Sequence, residues 1–171
     1  MSDVLLIADS APPASLIEEW LRAEVRLTAL MAPTICQQIE GELQVSLEPS
    51  WTLLTYSAAT EENIGRVGDW IRQNSSPSLI VLCLTADQGS SAEFAQRSNS
   101  ELLEFVSTKL ALPIRLLHMA LSRWPEGHYQ ILAGQPSCTL SRARNDWWSA
   151  LLSELSDEYT SAKLSMELVS D

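Results

Sequence analysis

A chain of 171 residues with 46% hydrophobic side chains is long enough to bury a sizeable core in one domain, and it excludes chain-wide disorder. Its 22 acidic and 11 basic side chains leave a net charge of −11, which sets the surface against phosphate backbones and anionic lipid. The expected partner is therefore another protein, one with a basic surface, with no direct phosphate contact to nucleic acid and no membrane contact. Cys36, Cys83 and Cys138 are far apart and form no CxxC or Cys/His pair at metal spacing, a usage that suits a reducing cytoplasm. Met1-Ser2-Asp3 supplies neither the positive leader nor the cleavage site of a secretory signal, and no apolar run approaches the roughly 18 residues of a membrane helix.

Val4-Leu5-Leu6-Ile7-Ala8 is apolar throughout, as a strand buried on both faces must be. Asp9-Ser10 ends it, and Pro12-Pro13 starts a helix whose inward stripe is Leu16, Ile17, Trp20, Leu21 and Val25. Residues 26–31 read either as a second strand or as more of that helix, and 34–41 as a short helix ending at Gly41. Residues 43–47 alternate like a half-exposed strand, and 51–56 form a further strand after Pro49. Glu61 and Glu62 suit the start of a helix that buries Ile64, Val67, Trp70 and Ile71. Residues 78–84 are the strongest strand in the sequence, central because both faces are apolar. A polar loop leads to a helix over 92–110, with Phe94, Leu102, Phe105, Val106 and Leu110 inward. Pro113 then introduces a strand over 114–121, a turn at 123–128, and a short strand over 129–133. A helix over 141–155 carries Trp147, Trp148, Leu151, Leu152 and Leu155.

Alternation of buried strands with helices predicts an α/β three-layer sandwich. Its mainly parallel sheet has about five strands, Rossmann-like or flavodoxin-like in topology, with helices on both faces. The domain runs over 1–156, and 157–171 form an acidic C-terminal tail or edge element. Ligands of such sheets bind at the carboxyl ends of the strands, which points to Asp9, Ser10, Tyr56, Ser57, Thr85, Asp87 and the segment 122–124. No GxGxxG follows the first strand and no GxxxxGK[ST] occurs, so no dinucleotide, P-loop nucleotide or other cofactor is expected. Gly89-Ser90-Ser91 before a helix offers Ser90 as an anion-binding candidate beside Thr85 and Asp87. With two histidines, His118 in an apolar run and His128 in a turn, no metal site is expected.

Leu5-Leu6-Ile7-Ala8-Asp9 resembles the first strand of response-regulator receivers, and Thr85 resembles their switch hydroxyl. Ser57 stands where that family needs its phospho-accepting aspartate, and Ser122-Arg123 where it needs a lysine. The resemblance implies a pseudo-receiver used for protein contacts. Ala8-Asp9-Ser10 also resembles the Gly-Asp-Ser block of GDSL-type hydrolases, and Glu126-Gly127-His128 resembles their acid–histidine block. That likeness implies a catalytic set of Ser10, Asp9 and His128, with Ser10 activated by the histidine. Leu84-Thr85-Ala86-Asp87 replaces the family's oxyanion-hole segment, so two of its donors are missing.

Arg123 with Trp124, and Trp147 with Trp148, are candidate surface anchors for a protein partner. No basic residue lies between Arg26 and Arg66, whereas 115–144 holds four arginines and one acid, Glu126. The leading expectation is a non-catalytic protein-binding module: a cytosolic regulator, adaptor, inhibitor or immunity-type protein. Two alternatives stand beside it. One is a small hydrolase or nucleotide-handling enzyme at the strand ends; the other is a structural subunit of an oligomeric complex.

Overall fold

A strand apolar on both faces belongs inside a sheet with helices above and below, and β1 (Asp3–Ala8) sits there. The computed structural model describes residues 3–8, 10–46, 51–55, 61–84 and 96–169. In chain order they form β1, α1 (Ala14–Arg22), β2 (Arg26–Met31), α2 (Pro33–Leu43), β3 (Trp51–Thr55), α3 (Glu61–Gln73) and β4 (Leu79–Leu84). There follow α4 (Asn99–Val106), a π-helical turn (Ser107–Ala111), α5 (Leu112–Arg123), β5 (His128–Gly134), α6 (Thr139–Glu158) and β6 (Lys163–Val169).

The sheet has six strands in the order β3-β2-β1-β4-β5-β6, and every neighbouring pair is parallel. This is the Rossmann order, one strand larger than the sequence predicts, and it differs from the flavodoxin order of receivers. The chain reverses direction across the sheet between β1 and β4. Alternate residues of each strand feed two cores. Leu5, Ile7, Leu82 and Ile131 face α3, α5 and α6 through Ile64, Val67, Leu116 and Trp148. Val4, Leu6, Val81 and Cys83 face α1 and α2 through Ile17, Trp20, Ile35 and Ile39.

Three segments depart from expectation. Residues 114–121 are helical, part of α5, because Leu112, Leu116, Leu117, Ala120 and Leu121 recur at helical spacing and only that face is buried. His118 consequently lies exposed on α5 rather than in a strand core. Residues 43–46 form no strand: Leu43 ends α2, and Gln44 closes it in the left-handed region at φ 53°. The expected helix over 92–110 begins, among the described residues, at Asn99. There Ser98 Oγ accepts the Glu101 N–H at 3.3 Å, and the Glu101 carboxylate accepts the Ser98 N–H at 2.7 Å. That backbone bond holds the Glu101 carboxyl below its ordinary range.

Pro113 does not end a helix. It lies just past the π turn of one rod running from Asn99 to Arg123. Proline has no N–H to offer the carbonyl four residues back, which is that of Lys109. The indole N–H of Trp148 reaches Lys109 O at 3.4 Å, while the Leu112 N–H bonds Ser107 O in the π pattern. Among the described residues, no helix is long and apolar enough to cross a membrane.

Candidate functional site

All strands are parallel, so their carboxyl ends share one edge of the sheet, and the crevice between β1 and β4 is its topological switch point. Four buried polar side chains among the described residues, Ser10, Ser141, Arg144 and Asn145, gather along that edge. Ser10 follows β1, and Ser141, Arg144 and Asn145 occupy the first turns of α6, directly after β5. The inward stripe of α6 continues at Trp148 and Leu152. One face of one helix is thus apolar in its middle and polar where it meets the carboxyl edge.

Hydrogen bonds lock this end. Ser141 Oγ accepts the N–H groups of Ser137 and Cys138 and donates to Cys138 O, each at 3.0 Å. Asn145 Nδ2 donates to Gly134 O at 3.1 Å, which ties α6 to the last residue of β5. Asn145 Oδ1 accepts Nε–H of Arg144 at 3.0 Å, so the amide sets the plane of a guanidinium that is only 1% exposed. Beside the switch point lies a narrow, mostly apolar recess lined by Ile7, Leu82, Leu84, Thr108, Leu112, Pro113 and Leu116. The Thr108 hydroxyl donates to Glu104 O at 2.8 Å. No cluster of three or more metal-ligating side chains exists among the described residues.

The expected site residues scatter. Asp9, Tyr56, Ser57, Thr85, Asp87 and Ser90 lie outside the described residues. Ser10 is buried at the carboxyl edge, whereas His128 is exposed at the start of β5, on the amino edge. The pairings Val4–Leu79 and Ile80–Tyr129 put His128 level with Val4. The strand then rises about 13 Å from Val4 to Ala8, far beyond the roughly 3 Å a proton-transfer pair requires. The Ser10–His128 dyad of the hydrolase reading is thereby corrected. Arg123 ends α5, also on the amino edge, and is exposed. Trp124 is no surface anchor: it is 5% exposed and meets Trp70 edge-on, with ring centroids 6.5 Å apart. Trp148 is fully buried, and its neighbour Trp147 is 37% exposed.

Sequence reading missed Ser141, Arg144 and Asn145. Their signal is spacing: they stand seven, four and three residues before Trp148, so the inward stripe, carried back one more turn on each side, lands on them.

No protein-family model matches the sequence, and neither does any curated protein. Solved structures do. A ketone-specific alcohol dehydrogenase from Comamonas testosteroni superposes with a TM-score of 0.74 at 16% identity, over 99% of this chain and 72% of its own. A short-chain dehydrogenase/reductase from Saccharomyces cerevisiae gives 0.76 at 7% identity, over 98% and 70%. One from Sphingobium yanoikuyae, solved with NADPH, gives 0.74 at 14% identity, over 98% and 71%. The expectation of a non-catalytic protein-binding module rests on missing motifs, and this likeness overturns it, because the architecture is one that solved oxidoreductases share. The regulatory, pseudo-receiver, hydrolase and structural-subunit readings fall with it. What the comparisons establish is the fold: a three-layer α/β sandwich of the kind seen in short-chain dehydrogenases and reductases.

Proposed function

We propose that this chain is an oxidoreductase related to the short-chain dehydrogenases and reductases, interconverting a carbonyl and an alcohol at the carboxyl edge of its sheet. One observation carries the reading: an all-parallel 3-2-1-4-5-6 sheet that superposes over nearly the whole chain on enzymes of that chemistry. The buried polar side chains gathered at that edge support the same location. Cys36, Cys83 and Cys138 form no disulfide among the described residues, which supports a place in the reducing cytoplasm.

The nicotinamide dinucleotide implied by such a fold does not fit the β1–α1 corner in the usual way. That cradle needs glycines so that backbone N–H groups can close on the pyrophosphate. Here the described corner is Ser10-Ala11-Pro12-Pro13, without a glycine, and the two prolines carry no N–H. The Leu16 and Ile17 N–H groups turn back onto Pro13 O at 3.0 and 3.3 Å. Strand β2 ends in Met31-Ala32-Pro33, with no carboxylate for a ribose hydroxyl. No step is therefore routed through a dinucleotide.

The chain's own residues define what the site does. The polar groups at the start of α6, Ser141, Arg144 and Asn145, stand at the carboxyl edge where the carbonyl would be met. The test is carbonyl-dependent oxidation of a hydride donor by the purified full chain, with NADH, NADPH and reduced flavin mononucleotide supplied in turn. Donors are used at millimolar concentration because the glycine cradle is missing, and the panel includes neutral ketones and oxo acids. Turnover with one donor is expected. Failure with every donor across the panel refutes the reading.

A further inference from the structure

We infer that the outer edge of β6 is a docking surface for a second copy of this chain, the two strands pairing antiparallel so that Lys163 of each copy faces the partner's Glu167. Nothing in this pairing depends on the reaction proposed above.

β6 ends the sheet and has β5 on one side only. The Lys163 N–H bonds Gly127 O at 3.0 Å, and the Val169 carbonyl takes the Gln135 N–H at 3.2 Å, so the odd-numbered residues turn their backbone groups toward β5. An extended strand alternates. Leu164, Met166 and Leu168 therefore each aim an N–H and a C=O at the open side, where no described strand takes them up. Natural edges are commonly kept short, bulged or broken by proline. β6 has none of these devices: seven consecutive residues pair with β5 in unbroken register, without a proline. None of the seven is buried, Leu164 and Met166 only partly enter the core, and Leu168 is 45% exposed.

The side chains select the occupant. Met166 lies against α6, its sulfur 3.6 Å from Ser149 Oγ, so Lys163, Ser165 and Glu167 share the opposite face, and all three are exposed. Charges on an edge deter a second strand unless their order matches. Here it matches a reversed copy. In the run Lys163-Leu164-Ser165-Met166-Glu167, reversal about Ser165 sets Lys163 against the partner's Glu167 and Leu164 against the partner's Met166. The backbone agrees with that register. The outward-pointing Leu164 and Met166 become the hydrogen-bonded pairs, and the charged pairs fall at the positions between, where side chains stand closest. Gln130 Nε2 holds one Glu167 carboxylate oxygen at 2.9 Å and leaves the other for the partner's Lys163. A chain of net charge −11 repels its own copies in general, and this edge supplies a cation for each anion. β3, at the other edge, spans five residues without a charged side chain and offers no such match.

Sedimentation velocity of the full chain at about 0.15 M ionic strength tests this pairing. The parent is expected to pass from 18.9 kDa to twice that mass across the micromolar range. Lys163→Glu and Glu167→Lys each set like charges opposite one another at two symmetric places, and each should weaken the dimer by about tenfold or more. The double exchange restores opposite charges and should recover most of the loss, a rescue that a folding role of either side chain would not give. Met166→Pro removes an N–H from the open side and none from the β5 ladder, so it should keep the parent's far-ultraviolet dichroism and run as a monomer. Oxidised Ser165→Cys should form a disulfide-linked dimer that the parent, oxidised alongside, does not, because residues opposed at the two-fold axis stand about 4.5 Å apart at Cα.

A parent that stays monomeric throughout overturns the inference and leaves the edge to an extended segment of another protein. A dimer as strong in Lys163→Glu as in the parent, or one that the double exchange fails to recover, places the contact elsewhere and overturns it too. So does a dimeric Ser165→Cys sample that forms no cross-link. The charge exchange decides the matter even if Met166→Pro fails to fold.

Discussion

Trp148→Ala is expected to lower the unfolding free energy by roughly 3–5 kcal/mol, the range for removing a large buried aromatic side chain. The indole is 0% exposed and joins α6 to the core formed by α3, α5 and the sheet. Its loss opens a cavity that a rigid three-layer sandwich collapses only in part. A second cost is polar. The Lys109 carbonyl sits four residues before Pro113, which has no N–H for it, and the Trp148 indole N–H serves instead. Trp148→Phe separates the two contributions: it keeps most of the ring and removes the N–H, and should cost about 1–2 kcal/mol more than its loss of area explains. Trp147→Ala is the internal control. Its ring is 37% exposed, lies edge-on to Trp148 at 5.2 Å, and should cost less than about 1 kcal/mol. Denaturant midpoints of the three variants, read by far-ultraviolet dichroism, check the order. Equal midpoints for Trp147→Ala and Trp148→Ala would refute the assignment of Trp148 as the joint between α6 and the π turn.

Most of the fold is legible in the sequence because the strong signals are local. Runs such as Leu5-Leu6-Ile7-Ala8 and Ile80-Val81-Leu82-Cys83 have no polar face, so they belong at the centre of a covered sheet, where β1 and β4 lie. The α5 segment misleads for the opposite reason. Ile114-Arg115-Leu116-Leu117-His118-Met119-Ala120-Leu121 is dense enough in apolar residues to pass as a strand, and Pro113 looks like a stop when it is a residue inside a helical rod. That one reassignment moves Arg123 and Trp124 from the carboxyl edge to the amino edge and removes them from any shared site. The pair Ser10 and His128 fails for a related reason: spacing along a chain carries no information about which end of a sheet a residue reaches. Arg144 and Asn145 are hidden differently. A polar residue on a helix reads as solvent-facing unless the inward stripe of that same helix is carried back to it, and only the packed structure shows that the stripe continues. The function is least legible of all, because the β1–α1 turn lacks the glycines by which a dinucleotide fold is read from sequence.

The turn before β5 supports the second large effect. Tyr129 is fully buried, and its hydroxyl donates to Trp124 O at 2.7 Å, an acceptor that also takes the Gly127 N–H at 3.0 Å. The Gly127 carbonyl accepts the Lys163 N–H at 3.0 Å, which ties this turn to the first residue of β6. A Cβ on Gly127 would stand 2.7 Å from Tyr129 Cε2 and 2.9 Å from both Cζ and Oη. The ring has no room to retreat, so Gly127→Ala should cost roughly 1–3 kcal/mol by overpacking, and Tyr129→Phe in the same background should recover part of it by releasing Oη. Burial also pushes the Tyr129 phenol far above its ordinary pKa, which gives the sign of a pH effect. The folded state favours the neutral phenol and the unfolded chain ionises near pH 10, so this stabilisation is intact below about pH 10 and is lost as pH rises beyond it. The slope tends to about 1.4 kcal/mol per pH unit until the folded state itself ionises. Denaturant unfolding between neutral pH and pH 11 should therefore show a steeper alkaline decline for the parent chain than for Tyr129→Phe. Parallel declines would mean that the phenol is not held away from water, and the expected clash at Gly127, which depends on that same enclosure, would lose its basis.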